Sequence, residues 1–266
     1  MANEMTCKCK CAAEERQKVV AHLNMLAVLP RLEELVQYDA DAQELIKGMK
    51  FSIRFRVMGG PSIFIAIGNG KITSTTDTTL SADTGLLFTS YEQANRMFAG
   101  EKVVPIPYWG AWRMSDLKRF TQLSTLLEKY LKPSDESLKD PGFKAQVVKM
   151  TLHTIAAGVA QLAEHDSKAS HWAKSVPEGV AMFKVLPEGP AACISVQGGK
   201  FRPIWGEVKN PSVTTTFKDI DTALNLFTGK LDAFAALGDG DVRMSGLIPM
   251  ADHLNAIIDR VGWYLK

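Results

Sequence analysis

The sequence predicts an α+β protein made of two tandem copies of one module, each a mostly antiparallel sheet covered by helices. Three observations lead there. First, "GPSIFIAIGNGKI" (60–72) returns as "GPAACISVQGGKF" (189–201), always 129 positions later. Second, within each copy the apolar period switches from the helical 3.6 to the strand value of 2. Third, the elements then follow in the same order twice, with strands and helices segregated along the chain.

The repeat extends well beyond its clearest stretch. At an offset of 129, Phe88, Ala94, Phe98 and Gly100 match Phe217, Ala223, Phe227 and Gly229. Arg113-Met114-Ser115 recurs as Arg243-Met244-Ser245 after a one-residue insertion, and upstream Leu35, Asp39, Ala42 and Lys47 match Leu162, Asp166, Ala169 and Lys174 at an offset of 127. The expected organisation is a cysteine-containing tail (1–13), a first module (14–133) and a second (142–266). The polar stretch from Lys132 to Gly142 links them.

In the first copy, Val19, Val20, Leu23, Leu26 and Ala27 have helical spacing, and the helix is expected to stop before Pro30. Leu32, Leu35, Val36, Leu45 and Ile46 form a second run ending at Gly48. Phe51, Ile53, Phe55 and Val57 alternate with Ser52, Arg54 and Arg56, as in a half-buried strand whose polar side faces water. Ser62 to Ile67 is apolar on both sides and reads as a central strand. Asn69-Gly70 then suits the positive φ values of a type I′ hairpin turn. Ser90 with Gln93 predicts a capping box for a short helix ending at Gly100. A strand through Arg113-Met114 leads into a helix carrying Leu117, Phe120, Leu127 and Leu131. In the second copy Val148, Leu152, Ile155, Val159 and Leu162 give the opening helix. Asp219 starts the short helix, and Pro249 begins the last one.

Gly68-Asn69-Gly70-Lys71 raises a phosphate-binding reading, which fails. A P-loop needs glycine where Ile65 stands and Ser or Thr where Ile72 stands. No G-x-S-x-G or H-E-x-x-H pattern occurs, and the five histidines are scattered, so the expectation is not an enzyme and no cofactor. Asp239-Gly240-Asp241 starts like a calcium loop but lacks its remaining ligands, and reads as a turn between strands. A net charge of +2 without a basic run argues against nucleic acid. No apolar run is long enough for a transmembrane segment. Without a secretory h-region or a peroxisomal ending, a cytoplasmic location is expected.

Cys7, Cys9 and Cys11 would share one side of an extended segment, between lysines that favour thiolates. That could hold a soft metal or exchange thiols; the alternative is a mobile tail.

The order of apolar strand, turn, strand, capped short helix ending in "TGK", strand and closing helix resembles the sterol carrier protein 2 (SCP2) domain. The stretch that carries most of it is "VTTTFKDIDTALNLFTGKLDAFAALGDGDVRMSG" (213–246). The first copy departs from it, with Gly100-Glu101-Lys102 for Gly229-Lys230-Leu231 and "PIPYWGAW" (105–112) where the second has "DAFAALGDGD" (232–241). The resemblance implies a five-stranded sheet under helices, with an apolar tunnel for a lipid, sterol or fatty-acyl ligand. Large side chains to line it would be Phe64, Phe88, Met97, Phe98, Trp109, Trp112, Met114, Trp205, Phe217, Phe227, Phe234 and Met244; for each the alternative is ordinary core packing. Pro105 to Trp112 would be a loop at the tunnel mouth or a lid. Two function classes follow. One is a carrier of an apolar small molecule. The other is a scaffold or accessory subunit with filled cavities, a protein partner and a working cysteine tail.

Overall fold

A computed structural model describes residues 2–110 and 113–265, with side chains from residue 11 onward. The chain divides into two compact units, Met1–Lys129 and Tyr130–Lys266.

The first unit opens with α1 (Ala2–Leu23), so the predicted tail is helical from Ala2. A helix places residues two apart on different sides. Positions 7, 9 and 11 therefore do not share the one side that an extended segment would give them. The chain also does not stop before Pro30. A π-helical stretch (Asn24–Val28) and a 3-10 turn (Leu29–Arg31) carry it past the proline, whose missing N–H falls in a first turn where none is needed. The next run is two helices rather than one, α2 (Leu32–Tyr38) and α3 (Ala40–Ile46). Asp39 is extended between them and its carboxylate accepts from Ala42 N at 2.8 Å, capping α3.

Then come β1 (Phe51–Val57), β2 (Ser62–Gly68) and β3 (Lys71–Thr75), a meander in which Asn69 (φ 53°) and Gly70 (φ 69°) form the predicted turn. β4 (Thr84–Phe88) pairs parallel with β1, α4 (Tyr91–Phe98) follows, and β5 (Ile106–Trp109) pairs antiparallel with β4. The sheet order is β3-β2-β1-β4-β5. Ser90 Oγ accepts from Gln93 N at 3.1 Å, and the Gln93 side chain reaches back to Thr89 N, one residue earlier than a capping box would place it. α5 (Met114–Leu131) closes the unit. The predicted strand through Arg113-Met114 is thus the start of this helix, and the strand lies earlier, inside the expected loop 105–112.

Cross-strand pairs Phe51↔Ile67, Ile53↔Ile65 and Phe55↔Ile63 place the buried apolar residues on the face covered by helices. The other face departs from the expected polar side. Arg54 is buried, donating to the carbonyls of Asp77 (2.9 Å) and Leu80 (2.7 Å) and lying over the Phe64 ring. The β3–β4 loop therefore covers this part of the sheet, and the arginine ties two of its carbonyls to β1.

The second unit repeats the plan with α6 (Pro141–His165), α7 (Ser167–Ala173), β6 (Gly179–Val185), β7 (Ala191–Gln197), β8 (Lys200–Trp205), β9 (Val213–Phe217), α8 (Ile220–Thr228), α9 (Ala233–Gly238), β10 (Val242–Gly246) and α10 (Ile248–Leu265). Its sheet order is β10-β9-β6-β7-β8, with β6 and β9 parallel. Asp166 caps α7 as Asp39 caps α3. Val57 N donates to Pro61 O, and Val185 N to Pro190 O, each at 3.0 Å. The loop between those partners is one residue longer in the second unit, which accounts for part of the drift from 127 to 129. Arg243-Met244-Ser245 lies in β10, so its match with the start of α5 is not a structural correspondence. Asp239-Gly240-Asp241 turns α9 into β10, a helix into a strand rather than one strand into another.

Candidate functional site

The feature shared by both units with the most specific geometry is the corner where the last strand turns into the last helix. In the first unit the Asp83 carboxylate accepts from Ser52 N (2.7 Å) and Ser52 Oγ (2.8 Å), fixing the start of β4 against β1. Gly110 (φ 73°) then passes so close that a Cβ would stand 1.8 Å from the Asp83 carbonyl oxygen, and Thr84 Oγ1 donates to Gly110 O at 3.2 Å. In the second unit Ser212 Oγ accepts from Val180 N at 3.2 Å. Gly246 (φ 103°) passes the Ser212 carbonyl with room for no Cβ, and Leu247 N donates to that carbonyl at 2.8 Å. Both glycines are demanded by close backbone approach as well as by φ. Neither glycine stands out in the sequence, because each is required by a segment far along the chain, Asp83 for Gly110 and Ser212 for Gly246.

An aromatic cluster packs on the same sheet toward the far end of β1 and β4, where Phe88 closes β4. The Phe55 ring centroid is 5.5 Å from Phe120, 6.4 Å from Phe98 and 6.5 Å from Phe88. Met114, Leu117 and Phe120 follow at helical spacing along α5, grading from 66% exposed through half-buried to 5% exposed. Apolar side chains thus recur every third residue from the exposed start of α5 to its buried part. β5 is exposed at all four residues, with the Tyr108 ring lying over Gly85 where a Cβ would clash. In the second unit Phe217 and Phe227 meet edge to face at 5.5 Å, and exposed Ile248 leads through Ala251 to fully buried Leu254 on α10.

The expected lining residues divide accordingly. Phe88 and Phe98 join the first cluster, with Met97 half-buried beside Phe98 on α4, while Phe217 and Phe227 form the second. Trp109 and Met114 are exposed at the first corner, and Met244 is half-buried on β10. Three stand elsewhere. Phe64 lies on the far sheet face under Arg54, because its register pairs it with that residue. Trp205 is on the edge strand β8, away from the corner, with its ring 4.7 Å from that of His153. Phe234 projects from α9 with 85% of its surface exposed. Trp112 and the side chains of Cys7 and Cys9 lie outside the described residues. Cys11 is exposed, and among the described residues no group of three or more His, Cys, Asp or Glu could hold a metal. Phe55 and Phe120 belong to the cluster although their periodicity marked them only as core.

Polar features offer different chemistry. A groove of about 530 Å³ opens between α3 and α5, with Leu45 and Leu126 in its lining and Asp41, Glu44, Arg119 and Lys129 around them. Asp166 is fully buried in the second unit. Its carboxylate accepts from Ala169 N (2.7 Å), Arg260 Nε (2.8 Å) and the Tyr264 hydroxyl (2.6 Å), and is also paired with Arg260 Nη2. Burial pushes its pKa up, but those hydrogen bonds outweigh it and hold the carboxyl below the usual range. Burial pushes the Cys193 thiol up, so it stays protonated and donates to Gly206 O at 3.3 Å.

No protein-family model matches the chain, and no curated protein matches it. Solved structures similar to parts of it include the sterol carrier protein domain 2 of Helicoverpa armigera (20% identity, 42% of this chain and 89% of that one, TM-score 0.34). Another is sterol carrier protein 2 from Yarrowia lipolytica in its apo form (16% identity, 47% and 98%, TM-score 0.33). A third is a UbiJ-SCP2 ubiquinone synthesis protein (13% identity, 40% and 95%, TM-score 0.30). No described helix is long and apolar enough to cross a membrane.

Proposed function

We propose that the chain is a non-catalytic binder of an apolar small molecule of the lipid, sterol or fatty-acyl class, entering at the strand-to-helix corner, with transfer between sites as its use. One observation carries this reading: Met114, Leu117 and Phe120 of α5 pass from exposed to buried, and the last of them packs on Phe55. An apolar chain laid along these side chains would leave water stepwise, and each buried methylene contributes about 0.8 kcal/mol. The test is native mass spectrometry before and after organic extraction, joined to displacement of a fluorescent fatty-acid probe. Co-purified lipid or saturable displacement supports the reading, and the absence of both sinks it.

A second reading has its own observation. Four phenylalanines already pack the first interior, so that module fits a filled scaffold that supports a protein partner. Probe binding at one site per chain or none would favour it for the first module. Its cysteine component is tested by metal content, wild type against Cys7, Cys9 and Cys11 all replaced by Ser. Equal content ends that component.

A further inference from the structure

We propose that the β5 edge of the first module inserts into the interfacial zone of an anionic lipid bilayer. Five large apolar side chains are exposed within a short stretch: Val104 (83%), Ile106, Tyr108, Trp109 (59%) and Met114. Scattered exposed apolar residues are ordinary, but a contiguous group marks a contact surface.

The shape of this group selects the occupant. Alternate residues of a strand point to opposite faces, yet every residue of β5 is exposed. Tyr108 lies over Gly85 on one face, while Pro107, paired with Leu86, points to the other. A flat protein surface would cover one of these faces and leave the other in water. A fluid interface wets both. Strand addition by a partner chain is also disfavoured, since Pro107 removes one N–H from a strand of only four residues. Trp and Tyr settle at headgroup depth, with an apolar body inward and a polar tip outward.

The charges agree. Lys50, Lys102 and Lys118 are exposed on the segments flanking the edge, and Arg113 donates to the Lys50 carbonyl at 2.7 Å, holding that lysine's backbone at the corner. Two nearby acids are paired, Glu101 with Arg96 (2.7 Å) and Asp116 with Arg113 (2.6 Å), while Asp83 at the corner is hydrogen-bonded to Ser52. Each exposed lysine near an anionic surface adds about 1 kcal/mol of attraction. The equivalent strand of the second module, β10, reads Val-Arg-Met-Ser-Gly and has no aromatic, so docking is assigned to the first module alone.

The experiment is sedimentation of the full chain with phosphatidylcholine vesicles, with and without phosphatidylserine. The variants are Val104→Ser/Ile106→Ser/Trp109→Ser together and, as a control on an exposed apolar side chain of the second module, Phe234→Ser. Wild type and control are expected to bind the anionic vesicles, and the triple variant more than about tenfold less. Circular dichroism checks that the variant folds. Should it not, quenching of wild-type tryptophan by brominated lipid, reduced in Trp109→Phe, supplies the same test. No binding by wild type, or equal binding by a folded triple variant, overturns the proposal. A wild-type dimer that the triple variant loses, without vesicle binding, also overturns it by assigning the edge to a second copy. Docking needs no bound ligand, so probe displacement on the same wild-type sample separates its failure from failure of the ligand reading.

Discussion

Replacing Asp166 by Ala should remove the principal polar anchor of the second unit. The carboxylate caps α7 and receives Arg260 and Tyr264 from α10, tying the two helices together at a point of no solvent exposure. Loss of the cap alone costs about 1 kcal/mol. Stripping a partner from a buried ion pair costs about 3–5 kcal/mol, but the Arg260 side chain is 21% exposed and water recovers part of that. The Tyr264 hydroxyl, buried with its acceptor gone, adds about 1 kcal/mol. A total of roughly 4 kcal/mol follows for Asp166→Ala, against roughly 1–2 kcal/mol for Asp166→Asn, which keeps an acceptor for Ala169 N. Urea titration at neutral pH measures both, and hydrogen exchange in α7 and α10 locates the loss. The pH dependence has a definite sign. The folded pKa of Asp166 lies below its unfolded value, so its contribution is complete above about pH 4 and is lost as pH falls through the folded pKa. The gap between wild type and Asp166→Asn should therefore close only in acid. Tyr264 is pushed up, by burial and then by its bond to Asp166, so its contribution is present below about pH 10 and is lost as pH rises through the folded pKa. An unfolding free energy for Asp166→Ala within about 0.5 kcal/mol of wild type, or a gap that stays constant into acid, would refute the reasoning.

Gly110→Ala forces a Cβ into the Asp83 carbonyl at a positive φ, so a loss of at least about 2 kcal/mol and exposure of β4 amides to exchange are expected. Unchanged stability would show that the corner is not constrained. Phe120→Ala should cost about 3–5 kcal/mol and leave a void beside Phe55. If the first interior is a filled binding site, fatty-acid probe affinity rises in this variant, and no change in affinity counts against that view. Arg54→Met puts in the first module the residue that stands at position 182 of the second. It leaves the Asp77 and Leu80 carbonyls without their donor, at a cost of about 1.5–3 kcal/mol. Limited proteolysis should then cut in the β3–β4 loop, and a loop as resistant as in wild type would contradict its assignment as a strap held by Arg54.

Local chemistry made the strands legible. Asn69-Gly70 and Gly198-Gly199 have the positive φ values that a two-residue hairpin requires, so the turns announced themselves. Asp39 and Asp166 recurred because each caps a helix, although periodicity alone ran α2 and α3 together across that cap. Where covering segments decide, the pattern misled. Arg54 alternates correctly as a polar position but is buried by a loop that pairing cannot foresee. Phe64 is large enough to count as lining, but β2 is apolar on both sides and its sequence does not say which face the helices take. Phe234 looked like lining because it is large and apolar, and only the placement of α9 shows it in solvent. The corner glycines depend on contacts between segments more than twenty residues apart, which no local signal reports.

The parallel seam in each sheet sets an order of assembly. β1 meets β2 across a short loop, but its other partner arrives much later in the chain, as in Ile53↔Thr84 and Ala181↔Val213. Closing such a distance loses chain entropy before any pairing repays it. Each module should therefore zip its three-strand meander first and dock β4 or β9 last, bringing the corner and the aromatic cluster into being in one late step. In synthesis from the N-terminus every strand of the first module emerges before β6, so its seam can close before the second module's strands are there to compete.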